Sequence, residues 1–229
     1  RTKDGGYTQD GVGNVENGGW IAPLFYDPID QMKIYSLGDK VTVSEDFGST
    51  WNDLATPFGL TESVNYATIA ENNSDNIVVT RGNQIKLSVD GGITFTSIES
   101  NLPNNYITDV AFDPNNDDII IVTYGSYNGN NNKVYVTYDQ GNTWQNITYN
   151  LGYLPVRSVV IDHSENSTIY IGTEIGVYKK SMSANSWELY SQGLPNMSIL
   201  ELEIIYGSNT LRAATWGRGL WEYSLDGRL

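Results

Sequence analysis

The chain contains no cysteine, a single histidine (His163), few cations and no long apolar run. Without cysteine there is no disulfide framework, no thiol nucleophile and no cysteine-based zinc site. One histidine excludes two-histidine metal centres and leaves one candidate for any Ser/His arrangement. Only 13 Lys and Arg stand against 27 Asp and Glu, a formal net charge of −14. Such a charge repels phosphate backbones and anionic headgroups, so neither nucleic acid nor a membrane surface is expected as a partner. The longest apolar run, residues 119–122, is strand-sized, whereas a membrane span needs roughly 18 residues, so no membrane insertion is expected. The sequence opens on Arg1-Thr-Lys-Asp-Gly-Gly-Tyr7, with neither Met nor an apolar leader. A removed signal, or a chain that belongs to something longer, is the expectation.

What is present is enough for a core. A hydrophobic fraction of 39%, with 23 Gly among 229 residues, is the apolar share of an ordinary globular protein. Tyrosine (16) and tryptophan (6) are frequent, and an acidic, cysteine-free, Tyr-rich chain suits a secreted or surface protein of a bacterium. Asparagine clusters at 72–73, 115–116 and 130–132, which favours tight turns and many short elements.

An internal repeat organises the rest. Ser44-Glu-Asp46-Phe-Gly48-Ser-Thr50-Trp51 returns as Ser88-Val-Asp90-Gly-Gly92-Ile-Thr94-Phe95 and as Thr137-Tyr-Asp139-Gln-Gly141-Asn-Thr143-Trp144, the aspartates recurring at spacings of 44 and 49 residues. Ser181-Met-Ser-Ala-Asn-Ser186-Trp187 is a decayed copy without the Asp and the Gly, and Thr2-Lys-Asp4-Gly-Gly6-Tyr-Thr8 is a further copy with Gln9 in place of the aromatic. The Asp and the hydroxyls can hydrogen-bond the backbone of a tight turn, Gly supplies a positive φ, and the aromatic plugs between layers. Around each turn lie β-rich runs, such as 110–114, 119–123, 133–137 and 143–147, bounded by Asn, Asp, Gly and Pro. Four strands per period of about 45 residues mark a β-propeller blade.

The expected fold class is all-β: a β-propeller of four-stranded antiparallel blades, about five of them. Residues 1–229 read as one propeller segment. Residues 1–19 end a preceding blade; 20–60, 61–105, 106–153 and 154–196 are full blades; 197–229 are an incomplete last one. Residues 6–13 completing that last blade would close a five-bladed ring. A staple turn at residue 2 looks instead like a cut through a blade, and the expectation is part of a larger propeller.

The motif S/T-x-D-x-G-x-T-W/F resembles the Asp-box, or BNR, repeat of sialidases, xyloglucanase-type glycoside hydrolases and sortilin-type receptor propellers. A broader resemblance covers almost the whole chain. Gly19-Trp20-Ile-Ala-Pro23, Asp27-Pro28, Ile169-Tyr-Ile-Gly-Thr-Glu-Ile-Gly-Val-Tyr178, Gly193-Leu-Pro-Asn196 and Leu211-Arg-Ala-Ala-Thr-Trp-Gly-Arg-Gly-Leu-Trp221 are similar to the distal propeller of large secreted or surface proteins of Bacteroidetes-type bacteria. In those proteins adhesion-type domains and a type IX secretion signal often follow, which the resemblance implies for the parent of this chain. The fold hosts many activities, so function has to come from the site.

Asp4, Asp46, Asp90 and Asp139, with Trp51, Phe95, Trp144 and Trp187, are expected to be structural, because the staple turn lies at the blade periphery. A propeller's ligand-facing side is made by the loops between second and third strands and between successive blades. That logic selects Trp20, Arg81, Tyr124, Tyr127, Tyr153, Glu174, Trp216 and Arg218. The aromatics can stack on sugar rings or on a peptide, and Arg81 or Arg218 can bind a carboxylate in bidentate fashion. The six arginines (1, 81, 157, 212, 218, 228) do not recur at one loop position per blade as a sialidase would require. Asp39, Asp109 and Glu174 are formal acid/base candidates only, and no catalytic residue is assigned. His163, after Asp162 where other blades have Asp-Pro, reads as a turn residue. No cofactor and no metal site are assigned; the acidic 113–118 loop and the 128–132 tip are at most a Ca²⁺ site, without EF-hand spacing. The N-x-S/T sequons at Asn72, Asn146, Asn166 and Asn196 carry weight only in a eukaryotic secretory pathway. The reading is a non-catalytic binding or scaffolding propeller for a glycan or protein ligand. The alternative is the C-terminal half of a xyloglucanase- or sialidase-like glycoside hydrolase.

Overall fold

Runs of Val, Ile, Thr and Tyr, each closed by an Asp, Asn or Gly turn, become short antiparallel strands because β-branched and aromatic side chains pack well on a pleated surface. A computed structural model describes residues 24–59, 63–127, 131–191 and 193–225. The chain divides into two compact units, residues 1–97 and 98–229.

The first unit holds two sheets. Sheet one is β1 (Leu24–Tyr26), β2 (Ile34–Leu37), β3 (Val41–Ser44) and β4 (Asn52–Asp53). Sheet two is β5 (Tyr66–Ala70), β6 (Asn73–Arg81), β7 (Gln84–Ser88) and β8 (Thr96–Ser97). The second unit holds three. Sheet three is β9 (Ile107–Asp113), β10 (Asn116–Tyr124), β11 (Val134–Thr137) and β12 (Gln145–Asn146), and sheet four is β13 (Val156–Ile161), β14 (Thr168–Thr173), β15 (Gly176–Ser181) and β16 (Glu188–Leu189). Sheet five has three described strands, β17 (Ile199–Ile205), β18 (Thr210–Thr215) and β19 (Gly219–Ser224). Strand order follows chain order in every sheet and all pairings are antiparallel, which is the up-and-down meander of a propeller blade.

Burial follows position in the meander. β2, β3 and β11 are buried at every residue, because both of their faces are covered. The outermost strands β4, β8, β12 and β16 are two exposed residues each. An edge that short gives another chain little to pair with. Sheets pack face to face within each unit. In the first, Tyr35, Leu37, Val41 and Val43 of sheet one meet Ala67, Ile77 and Val79 of sheet two. In the second, Ile121, Val134 and Val136 meet Val159, Ile161, Ile169 and Ile171, and Tyr170 and Val177 meet Leu202, Leu211 and Ala213. Each such buried aliphatic side chain stabilises the fold by roughly 1.5–3 kcal/mol relative to exposure.

The turns between third and fourth strands share one bonding scheme. Asp46 accepts from the Ser49 and Thr50 amides (2.8 and 2.7 Å) and from the Ser44 and Thr50 hydroxyls (2.9 Å each). Asp90 and Asp139 repeat it with Thr94 and Ser88, and with Thr143 and Thr137. These donors stabilise the ionised form, so all three carboxyls titrate below their ordinary value. Asp46 is held at about 2, chiefly by the Thr50 amide. In the third turn Gly141 sits at φ +87°, and a Cβ there would lie 2.6 Å from that of Ile98. The indole N–H of Trp144 donates to the Ile98 carbonyl (2.7 Å) and that of Trp187 to the Ile147 carbonyl (2.9 Å). Phe95 packs on the core of the first unit, whereas the Trp51 indole N–H is buried without an acceptor.

The fourth turn is built differently. It is one residue shorter than the others, and none of residues 181–187 takes a positive φ. Lys180, 3% exposed, donates to the carbonyls of Ser181, Met182 and Ala184 at 3.0, 3.0 and 3.1 Å. Its ammonium also lies over the rings of Trp187 and Tyr149 at 5.6 and 5.8 Å.

Candidate functional site

In a four-stranded meander the turn between strands two and three and the exit from strand four lie at one end of the sheet, opposite the staple turns. At that end a second local pattern recurs. In four of the five sheets a buried threonine stands at or next to the end of the second strand: Thr80 before Arg81, Thr123 before Tyr124, Thr173 before Glu174 and Thr215 before Trp216. Two of these threonines hold their turns shut, Thr173 Oγ1 donating to the Gly176 carbonyl and Thr215 Oγ1 to that of Gly219, both at 2.7 Å. In those two sheets the residue after the threonine, Glu174 or Trp216, is thereby fixed at the lip of the sheet.

The individual positions diverge. Trp216 is 74% exposed, with its amide anchored on the Ser198 carbonyl (2.9 Å). Arg218 is exposed, and its carbonyl accepts from the Trp221 indole (3.1 Å). Tyr127 and Tyr153 stand 70% and 64% exposed, on the β10–β11 and β12–β13 connections. Arg81 is half-buried on the β6–β7 turn of the first unit. Tyr124 corrects the sequence reading. It is fully buried, edge-on to Tyr135 with centroids 5.9 Å apart, and its hydroxyl has no hydrogen-bond partner. The chain turns after it through Gly125 rather than before it, so its ring stays inside the sheet and offers no stacking surface. Trp20 and Asp4 lie outside the described residues.

Glu174 is engaged by a residue that the sequence reading passed over. Arg157, the second residue of β13, places Nη2 2.5 Å and Nε 2.7 Å from the same Glu174 oxygen, Oε1. Burial opposes the guanidinium charge, but the bond and charge of Glu174, joined by the Tyr127 hydroxyl, outweigh it and raise the Arg157 pKa. Gly125 makes room: a Cβ there would be 2.6 Å from Thr108 Cγ2 and 3.3 Å from Arg157 Nη1. Thr108 Oγ1 donates to the Val156 carbonyl (2.7 Å) and lies 3.1 Å from Thr123 Oγ1, which fixes the start of β13 against sheet three. Asp109 is likewise committed, accepting from the amides of Val110 and Val159 at 2.8 Å each. Burial raises its pKa to about 7, against these bonds. Asp39, in the first unit, is 2% exposed and its Oδ1 has no partner.

Two hollows among the described residues lie elsewhere. One hollow of about 460 Å³ is lined by Lys40, Asp53, Pro57, Ile93 and Phe95, and another of about 440 Å³ by Asp113, Asn115, Tyr138, Glu165 and Met182. The second includes the start of the acidic 113–118 loop, where Asp113 is used by the Asn115 amide (2.8 Å). Among the described residues no three His, Asp or Glu gather to hold a metal ion. His163 is an exposed turn residue whose ring stacks on Tyr206, centroids 4.1 Å apart. No helix among the described residues is long and apolar enough to cross a membrane.

Repeated four-stranded sheets stapled by Asp-centred turns, with a separate lip of aromatic and ionic side chains, define a β-propeller. Residues 39–192, about two thirds of the chain, match the Sortilin-Vps10 family model, described as sortilin, neurotensin receptor 3, and the chain belongs to that family. Among solved structures it is similar to the GH74 enzyme of Niastella koreensis (20% identity, TM-score 0.70) and the GH74 xyloglucanase of Xanthomonas campestris (15%, 0.70). It is similar as well to the extracellular domain of a hybrid two-component system from B. thetaiotaomicron (21%, 0.63). Those alignments cover 90%, 90% and 88% of this chain but only 37%, 37% and 26% of theirs. At such identities the likeness establishes the fold. No curated protein matches the chain.

Proposed function

We propose that this chain is a non-catalytic binding module of a secreted or cell-surface bacterial protein, part of a larger propeller, which recognises a glycan or protein through its strand-two-to-three loop end. The observation that carries this is the contrast between the aromatics and the carboxylates at that end. Tyr127, Tyr153 and Trp216 are each more than 60% exposed, and such rings, apolar in body with a polar handle, are the side chains favoured at binding surfaces. Glu174 is held by Arg157, and Asp109 by two backbone amides. Neither carboxylate of the second unit is placed as a free general acid or nucleophile.

The rival reading, a section of a glycoside hydrolase, draws on the likeness to GH74 enzymes. Release of new reducing ends from xyloglucan, measured alongside binding of the protein to arrayed glycans and to surface-protein extracts, separates the two. The proposal expects binding without cleavage, weakened by Trp216→Ala and Tyr153→Ala. Cleavage lost in Glu174→Gln would overturn it.

A further inference from the structure

Building on that binding role, we infer that Tyr127, Arg157, Glu174 and Tyr153 form a subsite for an uncharged sugar residue of a glycan. Arg157 Nε and Nη2 both engage Glu174 Oε1. Among the described residues Oε2 accepts no hydrogen bond. Arg157 and Glu174 keep 34% and 21% of their side-chain surface in solvent, so the pair is open on one side. A carboxylate clamped through one oxygen is a fixed acceptor at the other, suited to a sugar hydroxyl, because charge-assisted hydrogen bonds are the strong ones. The Tyr127 hydroxyl reaches Arg157, leaving its exposed ring as an apolar wall beside the acceptor. Tyr153, on the connection that leads into β13, supplies a second exposed ring four residues before Arg157.

Charge selects the ligand class. An anionic sugar meets Glu174 locally and a net charge of −14 at long range. A cationic peptide meets Arg157 at the same point. A neutral polyol loses nothing to either charge and gains from both, as a donor to Glu174 and an acceptor from Arg157. The base of the cluster is also anchored. Gly125 admits the guanidinium, and Thr108 ties the root of β13 to sheet three, so little ordering of that base is left to the moment of binding.

Affinity electrophoresis of the whole chain tests this, with hydroxyethylcellulose, xylan and galactomannan as neutral polymers and polygalacturonate as the anionic one. Retardation by at least one neutral polymer and none by polygalacturonate is expected. Tyr127→Ala and Glu174→Gln should each weaken retardation about tenfold, the loss of one charge-assisted bond or one stacking face. Unchanged melting temperatures show that the variants fold, and Tyr26→Ala, in the first unit, should bind as the parent does. Retardation by polygalacturonate alone, or by no polymer, overturns the inference. Neutral-polymer retardation that survives both variants but is lost in Trp216→Ala also overturns it, while leaving the broader binding role standing. Protein binding in the absence of any sugar binding sinks the subsite in the same way.

Discussion

The third and fourth staple turns reach the same end with opposite charges. In the third, Asp139 gathers amide and hydroxyl donors of a turn that passes through two positive-φ residues, Gln140 and Gly141. The fourth is a residue shorter and stays at negative φ. Its carbonyls, not its amides, converge inward, and the buried ammonium of Lys180 gathers them. Both finish with a tryptophan donating to a carbonyl some 40 residues earlier. Shape at this place in the fold is therefore specified by satisfying whichever set of backbone groups the turn length leaves inward, and the sign of the central charge follows from that.

The comparison breaks most visibly at its shared element. Trp187 is 3% exposed, and Trp187→Ala should cost about 3–5 kcal/mol in urea unfolding; a loss below about 1 kcal/mol would mean that the ring is not the keystone of the fourth turn. Lys180→Met keeps the apolar stem but removes the ammonium from the Met182 and Ala184 carbonyls and leaves that of Ser181 only the Ala184 amide, for an expected loss of about 1–3 kcal/mol. Gly141→Ala should lose a similar amount, about 1–3 kcal/mol, through strain at positive φ and the clash with Ile98. Alanine at Asn185, in the glycine-free turn, should change little.

Acid and base then probe the two centres separately. Burial lowers the Lys180 pKa from 10.5 to about 8. Between those values the unfolded chain keeps a proton that the folded chain has released, so this group makes stability rise with pH across pH 8 to 10.5. Subtracting the Lys180→Met profile isolates that slope; a flat difference would show the ammonium to be fully compensated by its carbonyls. Asp46 gives a slope of the same sign at the acid end. Its depressed pKa gives stability that is whole above about pH 4 and fades as pH falls through about 2. The smallest effect expected is a shallower acid melt in Asp46→Asn.

Much of the fold was legible because the repeat carries its own spacing: three intact Asp turns and the β-rich runs around them point to antiparallel blades, and such sheets form. The fourth turn was legible only as decay, since comparing residues sees a lost Asp and a lost Gly but not a lysine that enters from the preceding strand. At the strand-two-to-three loop end, counting arginines per blade hid Arg157, whose partner lies 17 residues on in Glu174. The threonine near the end of the second strand in four of the five sheets was the missed signal. It marks Glu174 and Trp216 as lip residues, yet it fails for Tyr124, because the glycine that follows lets the longer β10–β11 loop leave one residue later.

The two tryptophan bonds carry a consequence for how the chain is made. Ile98 precedes Trp144, and Ile147 precedes Trp187. In each case the acceptor leaves the ribosome before its donor, so both of these indoles emerge to find their docking points already synthesised. Growth can thus proceed as a ratchet from the N-terminal side, each turn latching onto finished sheet rather than waiting for sequence still to come.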